Sequence, residues 1–363
     1  MRSKKILVVD DSAFMRKLIS EFLIEHPELE VVAFARNGHD AVKKAIELKP
    51  DVITLDVEMP EMDGLQALKI IMEKQPCPVV MLSSLTKEGT ETTLKAIEMG
   101  AVDFIAKPSG TISLDLHKIK DVLIEKVLAA SKANITMQPA LAAKPSVIVP
   151  PTRSNPEPGD RMASAARYKK MGKLVLIATS TGGPRALQHV ITKLPASLAA
   201  PVVVVQHMPP GFTKSLADRL DSLSEIRVKE AQDGEVLKKG TAYIAPGGCH
   251  LKLRKTGTSI VASLDQTEPE GGHRPAANVT FRSAAEINEF DKIAVIMTGM
   301  GADGAEGLIK LKEAGPVKAI AEAKETCVVY GMPKAAVATH LVDDVVPVDE
   351  IALTIVKHVY DKR

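Results

Sequence analysis

Lys5-Ile6-Leu7-Val8-Val9-Asp10-Asp11-Ser12 is an apolar run that stops on two adjacent carboxylates. A stretch this short and this rich in aliphatic residues reads as a buried strand with charge at its C-terminal end. Four further runs of the same kind follow at 30–35, 52–56, 79–83 and 102–105. Between them apolar residues recur three and four apart, as in Phe14, Leu18, Ile19, Phe22 and Leu23, the spacing of one helix face. Nearly continuous apolar strands are buried on both faces. The alternation of strand and helix therefore predicts a doubly wound, five-stranded parallel sheet over residues 1–128.

The chain of 363 residues is too long for one core, and its composition marks where it divides. Between 129 and 172, Pro139, Pro145, Pro150, Pro151, Pro156 and Pro158 lie among Ala, Ser, Lys and Asn with no sustained apolar period, which predicts an extended linker. A second α/β domain is expected over 173–363, with strands at 174–178, 202–206, 293–298 and 317–321 in a mainly parallel sheet. The short runs and Gly turns of 226–261 suggest hairpins inserted into that frame. Hydrophobic residues at 45% and charged residues at 25% exclude a disordered or fibrous chain. With aromatics at 3% and a net charge of +2, nucleic-acid binding is not expected. Cys77, Cys249 and Cys327 follow no metal spacing and point to a reducing compartment, best the cytoplasm. No apolar run reaches spanning length, so membrane insertion is not expected either.

In an open parallel sheet the carboxyl ends of neighbouring strands gather at one edge, where ligands bind. Asp10, Asp11 and Asp56 close two of the first domain's strands, and Lys107-Pro108 follows its last. Any one of these acids alone reads as a solvated loop residue. Together they would repel one another unless a hard cation neutralised them, and Mg²⁺ suits a few carboxylate oxygens plus a phosphate. Lys107 is suited to pair with a phosphoryl group, and the Ser83 hydroxyl to hydrogen-bond it.

Three strand ends in the second domain carry chemistry: Thr179-Ser180-Thr181-Gly182-Gly183-Pro184, Gln206-His207-Met208-Pro209-Pro210-Gly211 and Thr298-Gly299-Met300-Gly301-Ala302-Asp303-Gly304. If the strands are neighbours, Ser180, His207 and Asp303 converge as the nucleophile, base and orienting carboxylate of an acyl-transfer enzyme, with turn amides as oxyanion donors. Each residue also has a plainer reading: a serine capping a helix, a structural histidine, an acid at a helix N-terminus. Two other classes stay open. Gly299-Met300-Gly301-Ala302-Asp303-Gly304 matches G-x-G-x-x-G, with Glu322 near the place of a ribose-binding acid, although Asp303 would sit where pyrophosphate belongs. Alternatively the second domain only docks a partner, as the output of a phospho-switch.

Residues 1 to about 125 resemble the receiver domain of bacterial response regulators through Val9-Asp10-Asp11-Ser12, Leu55-Asp56-Val57-Glu58-Met59-Pro60, Asp63-Gly64, Ser83 and Phe104-Ile105-Ala106-Lys107-Pro108. That resemblance implies Asp56 as phosphoacceptor and Mg²⁺ held by Asp10, Asp11, Asp56 and the Glu58 carbonyl. It also implies Lys107 on the phosphoryl oxygens, with Ser83 and Phe104 as the pair that reports phosphorylation. From about Lys173 the chain is similar to the catalytic domain of the chemotaxis protein-glutamate methylesterase family, through the Ser180, His207 and Asp303 segments and Gly272-His273-Arg274-Pro275. This implies a Ser180, His207, Asp303 triad that needs no cofactor, an oxyanion amide from Met300, and a cleft including Thr181, Gly182, His273 and Arg274. The activity implied is phosphorylation-regulated hydrolysis of glutamyl methyl esters on the cytoplasmic helices of chemoreceptors, releasing methanol, together with deamidation of receptor glutamines. The implied phosphodonor is the chemotaxis histidine kinase.

Overall fold

The computed structural model describes residues 2–107, 116–135 and 172–361. The expected linker lies outside the described residues over 136–171, as does Pro108. The first domain runs β1 (Lys4–Val9), α1 (Ala13–Ile24), β2 (Leu29–Ala35), α2 (Gly38–Leu48), β3 (Val52–Asp56), α3 (Gly64–Lys74), β4 (Val79–Ser83), α4 (Lys87–Glu98), β5 (Asp103–Ala106) and α5 (Leu116–Ala130). Its five strands lie in the order β2-β1-β3-β4-β5, all pairs parallel. Leu7, Val9, Ile53, Leu55, Val79 and Met81 fill one face while Ile6, Val8, Val52, Val80 and Leu82 fill the other. Both sets are buried, so the strands read as continuous apolar runs rather than alternating ones.

The second domain comprises β6 (Gly172–Thr179), α6 (Gly183–Ile191), β7 (Val202–Gln206), α7 (Phe212–Leu223), β8 (Arg227–Glu230), β9 (Thr241–Ile244), β10 (His250–Thr256), β11 (Ser259–Asp265), α8 (Ala277–Ala285), β12 (Phe290–Ile296), α9 (Ala305–Ala314), β13 (Val317–Glu322), α10 (Met332–Ala338), β14 (Asp344–Val346) and α11 (Val348–Tyr360). A seven-stranded sheet has the order β14-β13-β12-β6-β7-β9-β8, and every pairing in it is parallel. The first strand, β6, is central, flanked by β7 and β12. The chain builds outward from β6 to one side and then, through β12, to the other. That leaves a topological switch point between β6 and β12, as there is between β1 and β3.

Two expectations change. β8 and β9, read from sequence as part of a hairpin region, are the last two parallel strands on one side of the main sheet, with β8 at its edge, and only β10 and β11 form an antiparallel hairpin. The segment 231–240 between β8 and β9 makes a tight crossover instead of a turn. It hydrogen-bonds to the hairpin through Gly234 N–H to Ala262 O (2.9 Å) and Leu237 N–H to Ile260 O (2.8 Å), which satisfies a backbone that would otherwise be orphaned. The chain is also not extended from residue 129. Helix α5 continues to Ala130, and Asn134 N–H donates to Val328 O of the second domain at 3.0 Å.

The domains pack through α4, α5 and β5 of the first against α7 and the β6 and β7 ends of the second. Phe104 stacks on Phe212 with ring centroids 4.3 Å apart, so a single apolar cluster runs from Leu94, Ile97 and Phe104 into Phe212, Leu216 and Leu220. Around it, Arg219 grips Glu98 with two hydrogen bonds (2.8 and 3.1 Å), and the Thr90 and Ser215 hydroxyls meet at 3.0 Å. Among the described residues no helix is long and apolar enough to cross a membrane.

Candidate active site

At the carboxyl edge of the first sheet, β1 delivers Asp10, which is fully buried, and the exposed Asp11; β3 delivers Asp56. The Lys107 ammonium, just beyond β5, lies 2.9 Å from Asp10 Oδ2 and 2.7 Å from Asp56 Oδ2. The loops carrying these acids are tightly made. Ser12 N–H donates to Asp10 Oδ1 (2.9 Å), and Arg16 donates to the Asp10 and Asp11 carbonyls (2.7 and 2.9 Å). Beyond β3 the chain folds back so closely that a Cβ on Gly64 would stand 2.1 Å from the Asp56 carbonyl oxygen, which only glycine avoids.

Burial raises the Asp56 carboxyl to about 6 despite Lys107, and the Asp10 charge adds to the rise. Burial pulls the Lys107 ammonium down, but the Asp56 charge and the hydrogen bonds to Asp56 and Asp10 outweigh it, and its pKa is raised. Carboxylate oxygens of Asp10, Asp11 and Asp56 lie within 4.8 Å of one another. Three hard, negatively charged donors against one ammonium fit a small divalent cation such as Mg²⁺. The Glu58 carbonyl accepts no hydrogen bond among the described residues, and Glu58 N–H points to Asp56 Oδ1 at 3.3 Å. Ser83 is turned away from this cluster: its hydroxyl donates to Gly89 O at 3.1 Å in the first turn of α4. Phe104 faces the second domain.

At the corresponding edge of the second sheet, β6, β7 and β12 are adjacent, and they bring Ser180, His207 and Asp303 together. His207 Nδ1 is 3.1 Å from Ser180 Oγ, and His207 Nε2 is 2.7 Å from Asp303 Oδ2. The imidazole thus presents Nδ1 to the serine, the reverse of the arrangement in chymotrypsin-like enzymes. The backbone fixes the serine: Ser180 N–H donates to Thr298 O (3.0 Å), and the Gln206 amide donates to the Ser180 and His207 carbonyls (3.0 and 3.1 Å). A Cβ on Gly183 would stand 2.0 Å from Gln206 Oε1, so the glycine is what lets the turn close on that amide.

Asp303 accepts from Ala277 N–H (2.6 Å) and Asn278 N–H (2.9 Å) as well as from the imidazole. Burial would raise its carboxyl, but the His207 hydrogen bond and charge, together with those amides, hold it below the usual carboxylate range. Thr181 and Met300 N–H groups have no hydrogen-bond partner among the described residues. The dinucleotide reading of 299–304 fails here. Asn278 Oδ1 accepts from Gly304 N–H and Gly307 N–H (2.9 and 2.8 Å), which fills the helix N-terminus where a pyrophosphate would bind. Glu322 is fully buried and its carboxylate already accepts from Thr298 N–H and the Thr326 hydroxyl (2.8 and 3.0 Å), so it is not presented to a ribose.

His273 stacks face to face on His207, centroids 3.8 Å apart and planes 14° from parallel. Arg274 lines the same cleft, its guanidinium donating to the Gln266 and Thr267 carbonyls, both at 2.9 Å. A cavity of about 290 Å³ over Ser180 and His207 is roofed by the first domain's Phe104, Ile105, Val122, Glu125 and Lys126. Asp103 accepts a hydrogen bond from the Thr181 hydroxyl at 2.6 Å while Lys126 pairs with its other oxygen at 2.6 Å. Asp103, Lys126, Phe212, Gln206 and Asn278 were not anticipated from the sequence. Only Asp103 left a signal, an acid opening an otherwise apolar strand.

Residues 6–117 match the response regulator receiver domain family and residues 175–355 the CheB methylesterase family. A protein-glutamate methylesterase/protein-glutamine glutaminase of Geobacillus kaustophilus is 58% identical over 357 residues, covering 98% of this chain and 99% of that protein. Its namesake from Bacillus subtilis is 51% identical, covering 99% of each chain. The crystal structure of the Thermotoga maritima CheB methylesterase catalytic domain is 50% identical and superposes with a TM-score of 0.50, covering 52% of this chain and 99% of that one. With identity of this order along nearly the whole length, the chain belongs to the CheB methylesterase family, carrying a response regulator receiver domain ahead of its methylesterase domain.

Proposed function

We propose that this chain hydrolyses glutamyl γ-methyl esters on the cytoplasmic helices of chemoreceptors and deamidates receptor glutamines by the same route, under control of its receiver. The observation that carries the reading is the hydrogen-bonded chain from Ser180 through His207 to Asp303. His207 Nδ1 takes the Ser180 proton as Oγ attacks the ester carbonyl. Asp303 holds the ring and stabilises its charged form, and the Thr181 and Met300 amides receive the oxyanion. His207 then gives that proton to the leaving ester oxygen, which departs as methanol, or to the amide nitrogen, which departs as ammonia. Water, deprotonated by the same imidazole, hydrolyses the acyl-enzyme and regenerates Ser180.

We assign residues 1–130 to the receiver, 131–171 to the linker and 172–363 to the catalytic domain, in a cytoplasmic protein that takes its phosphoryl group on Asp56 from a chemotaxis histidine kinase. Asp10, Asp11, Asp56 and the Glu58 carbonyl are the residues suited to hold Mg²⁺, which when bound neutralises phosphoryl charge. Lys107 contacts the phosphoryl oxygens. Unphosphorylated, the receiver roofs the cleft, with Asp103 on Thr181 and Phe104 on Phe212. A phosphoryl group offers Ser83 a stronger acceptor than the Gly89 carbonyl. Movement of Ser83 makes room for Phe104 to leave Phe212, shifting the population towards an open cleft. The test is methanol release from membranes bearing methylated receptors, with and without a small-molecule phosphodonor. Stimulation that disappears in Asp56→Asn supports both parts; methanol release by Ser180→Ala at the normal rate overturns the first.

A further inference from the structure

We propose that His273 is a positioning residue for His207, a flat wall that keeps the imidazole aimed while Ser180 is acylated, rather than a substrate-binding group. This rests on the reading of Ser180, His207 and Asp303 as the catalytic chain. Two in-plane hydrogen bonds hold His207, one to Ser180 and one to Asp303. The first is compromised once Ser180 Oγ is esterified, because the ester oxygen carries no proton and is a poor acceptor. The ring then depends on Asp303 alone, about which it can tilt. A stacked partner 3.8 Å away blocks that tilt without competing for either ring nitrogen.

The wall is itself firmly built. Glu270 and His273 exchange backbone hydrogen bonds (3.1 and 3.0 Å) across Gly271 and Gly272, whose φ values of 59° and 83° are those of a tight hairpin turn. Arg282 clasps the Glu270 carboxylate with two hydrogen bonds, and Arg274 anchors the other end of the turn on the Gln266 and Thr267 carbonyls. Burial, with the neighbouring His207 charge adding to it, pushes the His273 imidazole down to about 3. A neutral ring over His207 does not oppose the imidazolium that forms during catalysis. The receiver's Glu125, with Oε1 3.9 Å from His273 Nε2, is the nearest carboxylate across the cleft.

The experiment compares His273→Ala and His273→Phe in the full chain, phosphodonor present, on methylated receptor membranes, with Ser180→Ala alongside. His273→Ala is expected to lower kcat about tenfold, the size of a lost ring stack at an active site, with KM falling in parallel because deacylation becomes the slow step while kcat/KM is still set by acylation. The loss should fall on deacylation, so that a burst of methanol stoichiometric with enzyme precedes the slow steady state. His273→Phe keeps the stack and should restore kcat to within about twofold. A His273→Ala enzyme with normal kcat, a loss confined to KM, or a His273→Phe enzyme as impaired as the alanine variant would each overturn the proposal. An active Ser180→Ala enzyme would instead overturn the catalytic reading beneath it.

Discussion

The two domains solve the same geometric problem with opposite chemistry. In each, a parallel sheet with a switch point beside its first strand brings side chains from neighbouring strand ends to one edge. The receiver gathers three carboxylates against one lysine and is left with excess negative charge, which suits it to the cation and phosphoryl group proposed for it. The catalytic domain brings a single carboxylate to its site and neutralises it internally, with two backbone amides and an imidazole. Strand order fixes where a site forms. The ratio of acids to donors fixes whether that site binds and is switched or is preorganised to react.

Removing the nucleophile breaks this comparison most severely. Ser180→Ala should lower methanol release by about 10⁶-fold, as loss of a triad serine does elsewhere. Phosphorylation at Asp56, followed with a radiolabelled phosphodonor, should be unchanged, because the two sites share no residue. Asp303→Asn should cost about 10⁴-fold in kcat, since the amide stabilises no imidazolium and turns its NH2 donor towards either the Ala277 or the Asn278 N–H. If this variant kept its rate, the internal neutralisation described above would not be catalytic.

Glu322 is a useful control, a carboxylate at the same edge as Asp303 but with no ion pair among the described residues. Burial raises it from 4.5 to about 7, against the hydrogen bonds from Thr298 N–H and Thr326. The folded state therefore binds more protons than the unfolded chain between those values, and Glu322 should cost stability as pH rises from 4.5 to about 7. Glu322→Gln should flatten that slope, removing roughly 3 kcal/mol of pH-dependent loss in denaturant titrations across the range. An unchanged slope would mean the carboxylate is compensated by groups other than those facing it. The smallest expected effect lies between the domains. Asp103→Ala removes the Thr181 latch and should raise basal methanol release about tenfold, the worth of one charge-assisted hydrogen bond, while shrinking the stimulation by phosphodonor. A fall in basal rate would show that Asp103 supports the catalytic turn instead of restraining access.

Much of this is legible in the sequence alone. The strands of the receiver are apolar on both faces, and Asp10, Asp11, Asp56 and Lys107 stand at their ends, so local pattern and global topology agree. Ser180, His207 and Asp303 were legible for the same reason, each lying just beyond a strong strand. The 226–261 region was not. Short strands with glycine turns look alike whether they pair with the next strand or cross over it, and only the hydrogen bonds of 231–240 to the β10–β11 hairpin distinguish the two. The G-x-G-x-x-G match misled because the groups that occupy its helix N-terminus, Asn278 and Asp303, come partly from another helix.

By itself the sequence determined the two α/β domains, the family and the side chains available for chemistry, because strand burial and strand-end residues are written locally along the chain. Only the tertiary structure decided how those side chains meet. It set which imidazole nitrogen faces Ser180, laid His273 across His207, and brought Asp103 and Phe104 of one domain onto Thr181 and Phe212 of the other. Those contacts join residues far apart in the chain. They depend on the packing of whole elements, to which no run of neighbouring residues is a guide.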